Sequence, residues 1–231
     1  MPYYPILIDL EGKKVIVVGG GAVAQRKIET LMTYGALVQV ISRKVTPRIN
    51  RYVGEGKIRL IGQEFRENDL DGAFMVIAAT DDAYLNHKVS QNAREKGLLI
   101  NAVDQPSDCN FIVPSIIRRG DLSISVSTSG KSPALAKKVR EELEKKFGRE
   151  YESLLLLMGR LRADILSRGL PQSKNRWIFN DLVNSRILEA IGRKDWSEIA
   201  AIVNKIMQIQ LSSEEIIKIV SQNIPSPAEE S

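Results

Sequence analysis

The stretch that decides the fold is Lys13-Lys14-Val15-Ile16-Val17-Val18-Gly19-Gly20-Gly21-Ala22-Val23-Ala24. Its first half is a short, unbroken run rich in β-branched residues, which is typical of a strand buried on both faces of a parallel sheet. The three glycines allow a tight turn, and beyond them apolar residues at positions 24, 28 and 31 follow helical spacing up to Gly35. The stretch therefore predicts a strand, a glycine turn and a helix in succession.

The same alternation continues outward from this stretch as far as residue 103. Short apolar runs at residues 37–41, 58–61, 74–79 and 98–103 predict four more strands. Thr46-Pro47 supplies a cap and a first-turn proline for a short helix, and another helix with an apolar face ends at Gly97. Strands that alternate with helices predict an α/β fold built on a Rossmann-like, doubly wound parallel sheet.

The second half of the chain has a different pattern. Apolar runs at 111–113 and 122–127 flank Arg119-Gly120-Asp121 and predict a hairpin, and a helix follows it to residue 147. Beyond residue 150 only helical patterns appear, at residues 154–166, 178–191, 195–209 and 214–220. We therefore predict a Rossmann-like domain at 1–114, a small α+β segment at 115–149, a helical domain at 150–224 and a disordered tail at 225–231.

Composition narrows the classes of function. With 231 residues, 43% of them hydrophobic and 26% charged, the chain matches an ordinary globular protein, and its longest apolar run is far too short to cross a bilayer. We expect a cytoplasmic protein without a membrane partner. The single Cys109 and single His87 exclude an internal disulfide and the usual Cys- or His-rich metal sites, so we predict no resident metal.

Positive charge is concentrated in one segment. Residues 115–149 hold nine Lys or Arg and four Asp or Glu, so this segment accounts for the whole net charge of +5. Such an excess suits an anionic partner, although a solvated helix face explains it equally well. Because the segment shows no RNA-binding aromatic signature, we do not expect nucleic acid to be that partner.

The glycine turn has the spacing of a dinucleotide fingerprint, Gly19-x-Gly21-x-x-Ala24. Glycines there let a diphosphate approach the free N–H groups of the helix N-terminus, so the candidate cofactor residues are Gly19, Gly21, Ala22, Val23 and Ala24. A turn that serves only strand-to-helix packing is the alternative.

The residues after the second strand bear on which dinucleotide binds. NAD sites usually carry an acid about 20 residues past the glycines, where this chain reads Ser42-Arg43-Lys44. On spacing alone the two cations favour the 2′-phosphate of NADP, and solvated loop charge is the alternative.

The ends of the fourth and fifth strands are expected to border the nicotinamide, because ligands in open α/β sheets lie beyond the carboxyl ends of the strands. Ala79 and Thr80 occupy the first of these ends. Asp104 follows the second, where its carboxylate could accept a proton or merely cap a turn. Farther on, Ser127, Thr128 and Lys131 lie in a hydroxyl-rich turn that suits either an anion or a helix cap.

Together these motifs resemble the precorrin-2 dehydrogenase/sirohydrochlorin ferrochelatase family, the N-terminal module of siroheme synthases. The resemblance covers residues 5 to about 145. It rests, in family order, on Pro5-Ile6-Leu7-Ile8-Asp9-Leu10, residues 17–27, Ala78-Ala79-Thr80-Asp81-Asp82, Asn101-Ala102-Val103-Asp104, Phe111-Ile112-Val113-Pro114-Ser115 and residues 127–136. No methyltransferase module follows in this sequence, so it is similar to the free-standing form.

The resemblance implies oxidation of precorrin-2 to sirohydrochlorin, with NAD as the hydride acceptor. It implies that Asp104 is the general base and that Asn101 and Thr128 lie in the substrate pocket. The family generally uses NAD even without an acid after the second strand, which overrules our expectation of NADP. Some members also insert Fe²⁺, and family homodimers form through the segment that corresponds to 115–149. A non-enzymatic dinucleotide-sensing domain is the rival interpretation.

Overall fold

The computed structural model describes residues 3–221, so the predicted tail lies outside the described residues. The chain divides into two compact units, Met1–Val113 and Pro114–Ser231. The segments that we predicted separately at 115–149 and 150–224 both fall in the second unit.

A five-stranded parallel sheet forms the centre of the first unit, as predicted. The strands are β1 (Lys14–Val18), β2 (Leu37–Ile41), β3 (Arg59–Gly62), β4 (Met75–Ala78) and β5 (Leu99–Ala102). Their order in the sheet is β3-β2-β1-β4-β5, so the chain reverses its direction of travel between β1 and β4. A crevice at such a switch point is where open α/β sheets bind ligands.

Helices cover both faces of this sheet. Because strand side chains alternate, Val15 and Val17 join one buried cluster, while Ile16 and Val18 join the other. The first cluster includes residues of α1 (Ala22–Thr33) and α2 (Pro47–Gly54), and the second includes residues of α3 (Ala83–Glu95). The predicted doubly wound fold is therefore confirmed.

Caps define where these helices begin. The Thr46 hydroxyl accepts a hydrogen bond from the Ile49 N–H ahead of α2, and the Asp82 carboxylate accepts from Tyr84 and Leu85 ahead of α3. A 3-10 turn at Glu67–Leu70 takes the place of a helix between β3 and β4.

The second unit begins with a hairpin of β6 (Ser115–Arg119) and β7 (Leu122–Val126). Our prediction of its first strand at 111–113 is wrong. Those residues form a loop whose Phe111 packs in the core of the first unit, while β6 reads Ser-Ile-Ile-Arg-Arg and lacks the apolar signal of a strand. The Ser132 hydroxyl then caps α4 (Pro133–Lys146).

The remaining helices pack around one buried cluster that includes Leu157, Leu161 and Leu182. The helix predicted at 178–191 is two helices, because the Ser185 hydroxyl bonds back to the Leu182 carbonyl and accepts from the Ile187 N–H. Within residues 3–221, no helix has both the length and the apolar content needed to cross a membrane. The helices are α5 (Glu150–Ser167), α6 (Gln172–Asn184), α7 (Ile187–Arg193), α8 (Trp196–Met207) and α9 (Ser213–Ser221).

Candidate active site

A cleft of about 950 Å³ lies at the carboxyl ends of the strands of the first unit. It opens at the switch point between β1 and β4, where the topology predicts a ligand. Most of the predicted cofactor residues and the predicted base line this one cleft: Gly19, Gly21, Ala22, Val23, Ser42, Arg43, Lys44, Ala79, Thr80 and Asp104.

The glycine turn is held tightly between its neighbours. Gly19 has a φ of +124°, and a Cβ at this position would collide with the Ala79 carbonyl. A Cβ at Gly20 would collide with the Lys44 carbonyl, so the loop after β2 lies directly against the turn. A Cβ at Gly21, in contrast, would meet nothing within 4 Å. The first two glycines therefore serve close packing, whereas Gly21 leaves open space.

The N-terminus of α1 provides donors for an anion. Gly21 is the N-cap and offers no side-chain acceptor, and the first backbone hydrogen bond of the helix runs from Gln25 N–H to the Gly21 carbonyl at 2.9 Å. The N–H groups of residues 22–24 precede that bond, and no acidic side chain lies in the first turn. These features fit the diphosphate of a dinucleotide.

Ala24 does not line the cleft, because it is fully buried in the core below the turn. The third position of the fingerprint serves close packing of helix on strand, and a small side chain permits it here.

An ion pair lines the side of the cleft next to β2 and β3. Arg43 Nη2 lies 2.5 Å from Glu64 Oε1, and both side chains are largely exposed. The Ser42 hydroxyl donates to the Lys44 carbonyl at 2.7 Å and so stabilises the loop itself. Spacing along the chain did not predict Glu64, because an NAD-binding acid is expected after the second strand and Glu64 follows the third.

A buried amide fixes the end of β4. Asn86 on α3 accepts hydrogen bonds from the N–H and the hydroxyl of Thr80, at 3.2 and 2.8 Å, and its Nδ2 donates to the Thr80 carbonyl at 3.0 Å. Asn86 is 3% exposed. This role was not predicted from the sequence, where the available signal is a polar residue beside the apolar stripe of α3.

Asp104 lies on the rim of the cleft in an unusual backbone conformation. Its φ is +59°, a left-handed value that is uncommon outside glycine and occurs often at functional sites. The side chain is exposed, and within residues 3–221 its carboxylate has no hydrogen-bond partner. It is therefore free to contact a ligand.

The loop after Asp104 is attached to α3 by several contacts. Gln105 Nε2 donates to the Ala83 carbonyl at 3.1 Å. The buried Asp108 carboxylate lies 2.9 Å from His87 Nδ1, and Arg94 donates to the Ser107 carbonyl at 2.7 Å. These contacts fix the position of the loop that carries the predicted base.

The four predicted substrate residues do not line this cleft. Asn101 Nδ2 donates to the Phe111 carbonyl at 3.2 Å and so supports the loop after β5. The other three, Ser127, Thr128 and Lys131, belong to the second unit. There the Ser127 hydroxyl accepts from the Ser129 N–H and the Thr128 hydroxyl from the Ser132 N–H, each at 3.1 Å. Contact of these residues with substrate stays a prediction.

Comparisons with known proteins agree with this geometry. A family model described as putative NAD(P)-binding matches residues 6–115, and one described as the central part of sirohaem biosynthesis proteins matches residues 119–146. The siroheme synthase of Photorhabdus laumondii subsp. laumondii is 37% identical over 186 residues, which are 80% of this chain and 40% of that protein. The siroheme synthase of Sodalis glossinidius is 39% identical over 202 residues, covering 87% of this chain and 43% of that protein.

A solved structure is similar over its whole length. SirC, a precorrin-2 dehydrogenase, matches with a TM-score of 0.76 at 25% sequence identity, covering 90% of this chain and 100% of that one. This chain spans about two fifths of the length of the siroheme synthases it matches. Sequence motifs, sheet topology and these matches agree, and the predicted resemblance to the precorrin-2 dehydrogenase/sirohydrochlorin ferrochelatase family is confirmed.

Proposed function

We propose that this protein catalyses the NAD-dependent oxidation of precorrin-2 to sirohydrochlorin in siroheme biosynthesis. The observation that carries the proposal is that one cleft is lined by both the glycine turn for a dinucleotide and the unpaired carboxylate of Asp104. The structural similarity to SirC supports the same reaction.

The reaction removes two hydrogen atoms from the tetrapyrrole, one as a hydride and one as a proton. Bound NAD⁺, held at the N–H groups that begin α1, would supply the hydride acceptor. Asp104 accepts the proton, and because this carboxylate is exposed it can release the proton to solvent. The balance is precorrin-2 plus NAD⁺ giving sirohydrochlorin, NADH and H⁺, so no other oxidant is needed.

The chain's own residues position the two reactants. The N–H groups at the start of α1 bind the diphosphate, and the tight packing of Gly19 against Ala79 holds the turn beside the end of β4. Asn86 fixes Thr80 there, and the contacts of α3 with residues 105–108 fix Asp104. Preorganisation of this kind lowers the entropy cost of bringing hydride donor, acceptor and base together.

The substrate's acetate and propionate groups give the positive segment at 115–149 a role. We propose that Lys131, with the hydroxyls of Ser127 and Thr128, binds these carboxylates. Two copies of the chain would associate through the same segment to form a homodimer.

Asp104→Asn tests the proposal, because it keeps the shape of the side chain and removes the base. Anaerobic turnover of precorrin-2 with NAD⁺, followed by absorbance, is expected to fall by about 10²- to 10⁴-fold while NADH affinity is retained. Asp71→Asn is the matched control, since Asp71 is 64% exposed and pairs with Lys96 outside the cleft.

Two outcomes would contradict this assignment. Turnover of Asp104→Asn within twofold of the wild-type rate would exclude Asp104 as the base. A wild-type protein that binds NADH but neither oxidises precorrin-2 nor binds a polycarboxylate porphyrin would favour the dinucleotide-sensing alternative. Adding Fe²⁺ after the oxidation tests iron insertion, in which Asp104 would accept the protons released by the pyrrole nitrogens.

A further inference from the structure

The cleft lacks an acid at the place where NAD sites usually have one. After β2 the chain reads Ser42-Arg43-Lys44, and on its own this sequence favours the 2′-phosphate of NADP. The Ser42 hydroxyl is engaged with the Lys44 carbonyl, so the loop itself offers no carboxylate to a ribose.

The neighbouring strand supplies a carboxylate instead. Parallel pairing places Ile41 opposite Gly62, and the Ser42 N–H donates to the Gly62 carbonyl at 3.0 Å. Residues two positions beyond these partners, Arg43 and Glu64, therefore leave the sheet side by side. The register shift between Val40 and Ile41 contributes to this match, because it skips one residue of β3.

Glu64 changes the charge that Arg43 presents to the cleft. Its Oε1 lies 2.5 Å from Arg43 Nη2, and both residues line the cleft together with the glycine turn. Within residues 3–221, the other carboxylate oxygen has no hydrogen-bond partner. The guanidinium is thus neutralised, and one acceptor remains available.

We infer that Glu64 is the residue that selects NAD over NADP, an inference that rests on the NAD-dependent function proposed above. The free oxygen accepts a hydrogen bond from the adenosine ribose hydroxyl, as the acid after the second strand does in other NAD sites. A 2′-phosphate carries nearly two negative charges and would be repelled by this carboxylate, while Arg43 is already paired.

Direct binding of the cofactor tests the inference without turnover. Titrations of the full chain with NADH and with NADPH, followed by nicotinamide fluorescence, compare wild-type protein with Glu64→Gln. Loss of a charge-assisted hydrogen bond is expected to weaken NADH binding by about tenfold. Removal of the like charge and release of Arg43 are expected to increase the affinity for NADPH by about fivefold. The ratio of NADH affinity to NADPH affinity is therefore expected to fall by about fiftyfold.

Two further variants isolate the cause. Arg43→Gln added to Glu64→Gln is expected to cancel the gain in NADPH affinity, because the released guanidinium is gone. Glu55→Gln is the matched control, since Glu55 is exposed, pairs with Lys57 at 2.9 Å and does not line the cleft. Competition with adenosine 2′-monophosphate and 5′-monophosphate locates the effect, because only the former is expected to bind Glu64→Gln more tightly than wild type.

The outcomes separate this inference from the proposed function. If wild-type protein binds NADH and Glu64→Gln keeps the same NADH-to-NADPH ratio within twofold, Glu64 does not select the cofactor and the proposed function stands. If wild-type protein binds neither nucleotide, the proposed function fails and this inference fails with it.

Discussion

Substitution of Gly21 by alanine separates nucleotide binding from folding. A Cβ at this position would meet nothing within 4 Å, and the backbone φ of −79° suits any residue. Alanine is a poorer N-cap than glycine, so the expected loss of unfolding free energy is at most about 1 kcal/mol. The added methyl group would, however, occupy the space through which a diphosphate reaches the N–H groups of residues 22–24.

The effect on binding is expected to be much larger than the effect on stability. Charge-assisted hydrogen bonds contribute about 1.5–3 kcal/mol each, so losing one of them weakens NADH binding by roughly tenfold to hundredfold. Gly19→Ala gives the opposite pattern. A left-handed φ of +124° costs a non-glycine residue about 1–3 kcal/mol, and the collision with the Ala79 carbonyl costs a similar amount.

The assay pairs urea unfolding with an NADH titration for both variants. Gly21→Ala is expected to unfold near the wild-type urea concentration and bind NADH weakly, whereas Gly19→Ala is expected to unfold at a clearly lower concentration. Wild-type NADH affinity in Gly21→Ala would refute the placement of the diphosphate on α1. Wild-type stability in Gly19→Ala would refute the account of the turn as closely packed.

Two further predictions concern the second unit. Leu161 is fully buried in its helical core, and Leu161→Ala is expected to lower the unfolding free energy by about 2–5 kcal/mol, measured by urea denaturation. Ser212 and Glu215 cap α9 reciprocally, and hydrogen bonds from the Ser212 N–H and hydroxyl lower the pKa of Glu215 below its usual 4.5. A lowered pKa stabilises the fold above about pH 4.5 and loses this effect as pH falls through the folded value. Ser212→Ala is therefore expected to lower the unfolding free energy at pH 7, and its difference from wild type is expected to be smaller in strong acid. An equal difference in unfolding free energy at both pH values would contradict this role.

The sequence was sufficient for the central strands of the sheet, because β1 and β4 are buried on both faces. The predicted bounds of β2, residues 37–41, are those observed, and the predicted β4 and β5 differ from the observed strands by one residue at each end. Hydrophobicity alone failed for the hairpin, since the apolar run at 111–113 is a loop that inserts Phe111 into a core. An apolar run indicates that a segment is buried, but a buried segment need not be a strand.

Residues that line the cleft were predicted where the local sequence indicates them, but not where strand pairing brings them to the cleft. The glycine turn is recognisable from its own neighbours in the chain, whereas the prediction of Asp104 as the base rests on the family resemblance. Glu64 lies at the cleft because β3 pairs with β2 across a register shift. Such a pairing cannot be predicted from residue spacing along the chain. The sequence-based interpretation of Arg43 as a phosphate-binding cation therefore did not include Glu64, whose carboxylate offsets its charge.

One helix connects the two halves of the candidate site. On α3, Asn86 bonds to Thr80 at the end of β4, and the adjacent His87 pairs with Asp108 in the loop after Asp104. The rim that we propose to face the nucleotide and the loop that carries the proposed base therefore share one rigid support, and both would move together if α3 shifted. Hydride transfer requires the reacting atoms to lie within a few tenths of an ångström of their productive positions. A shared support meets this requirement without direct contact between Thr80 and Asp104, which explains why a half-exposed histidine outside the cleft contributes to its geometry.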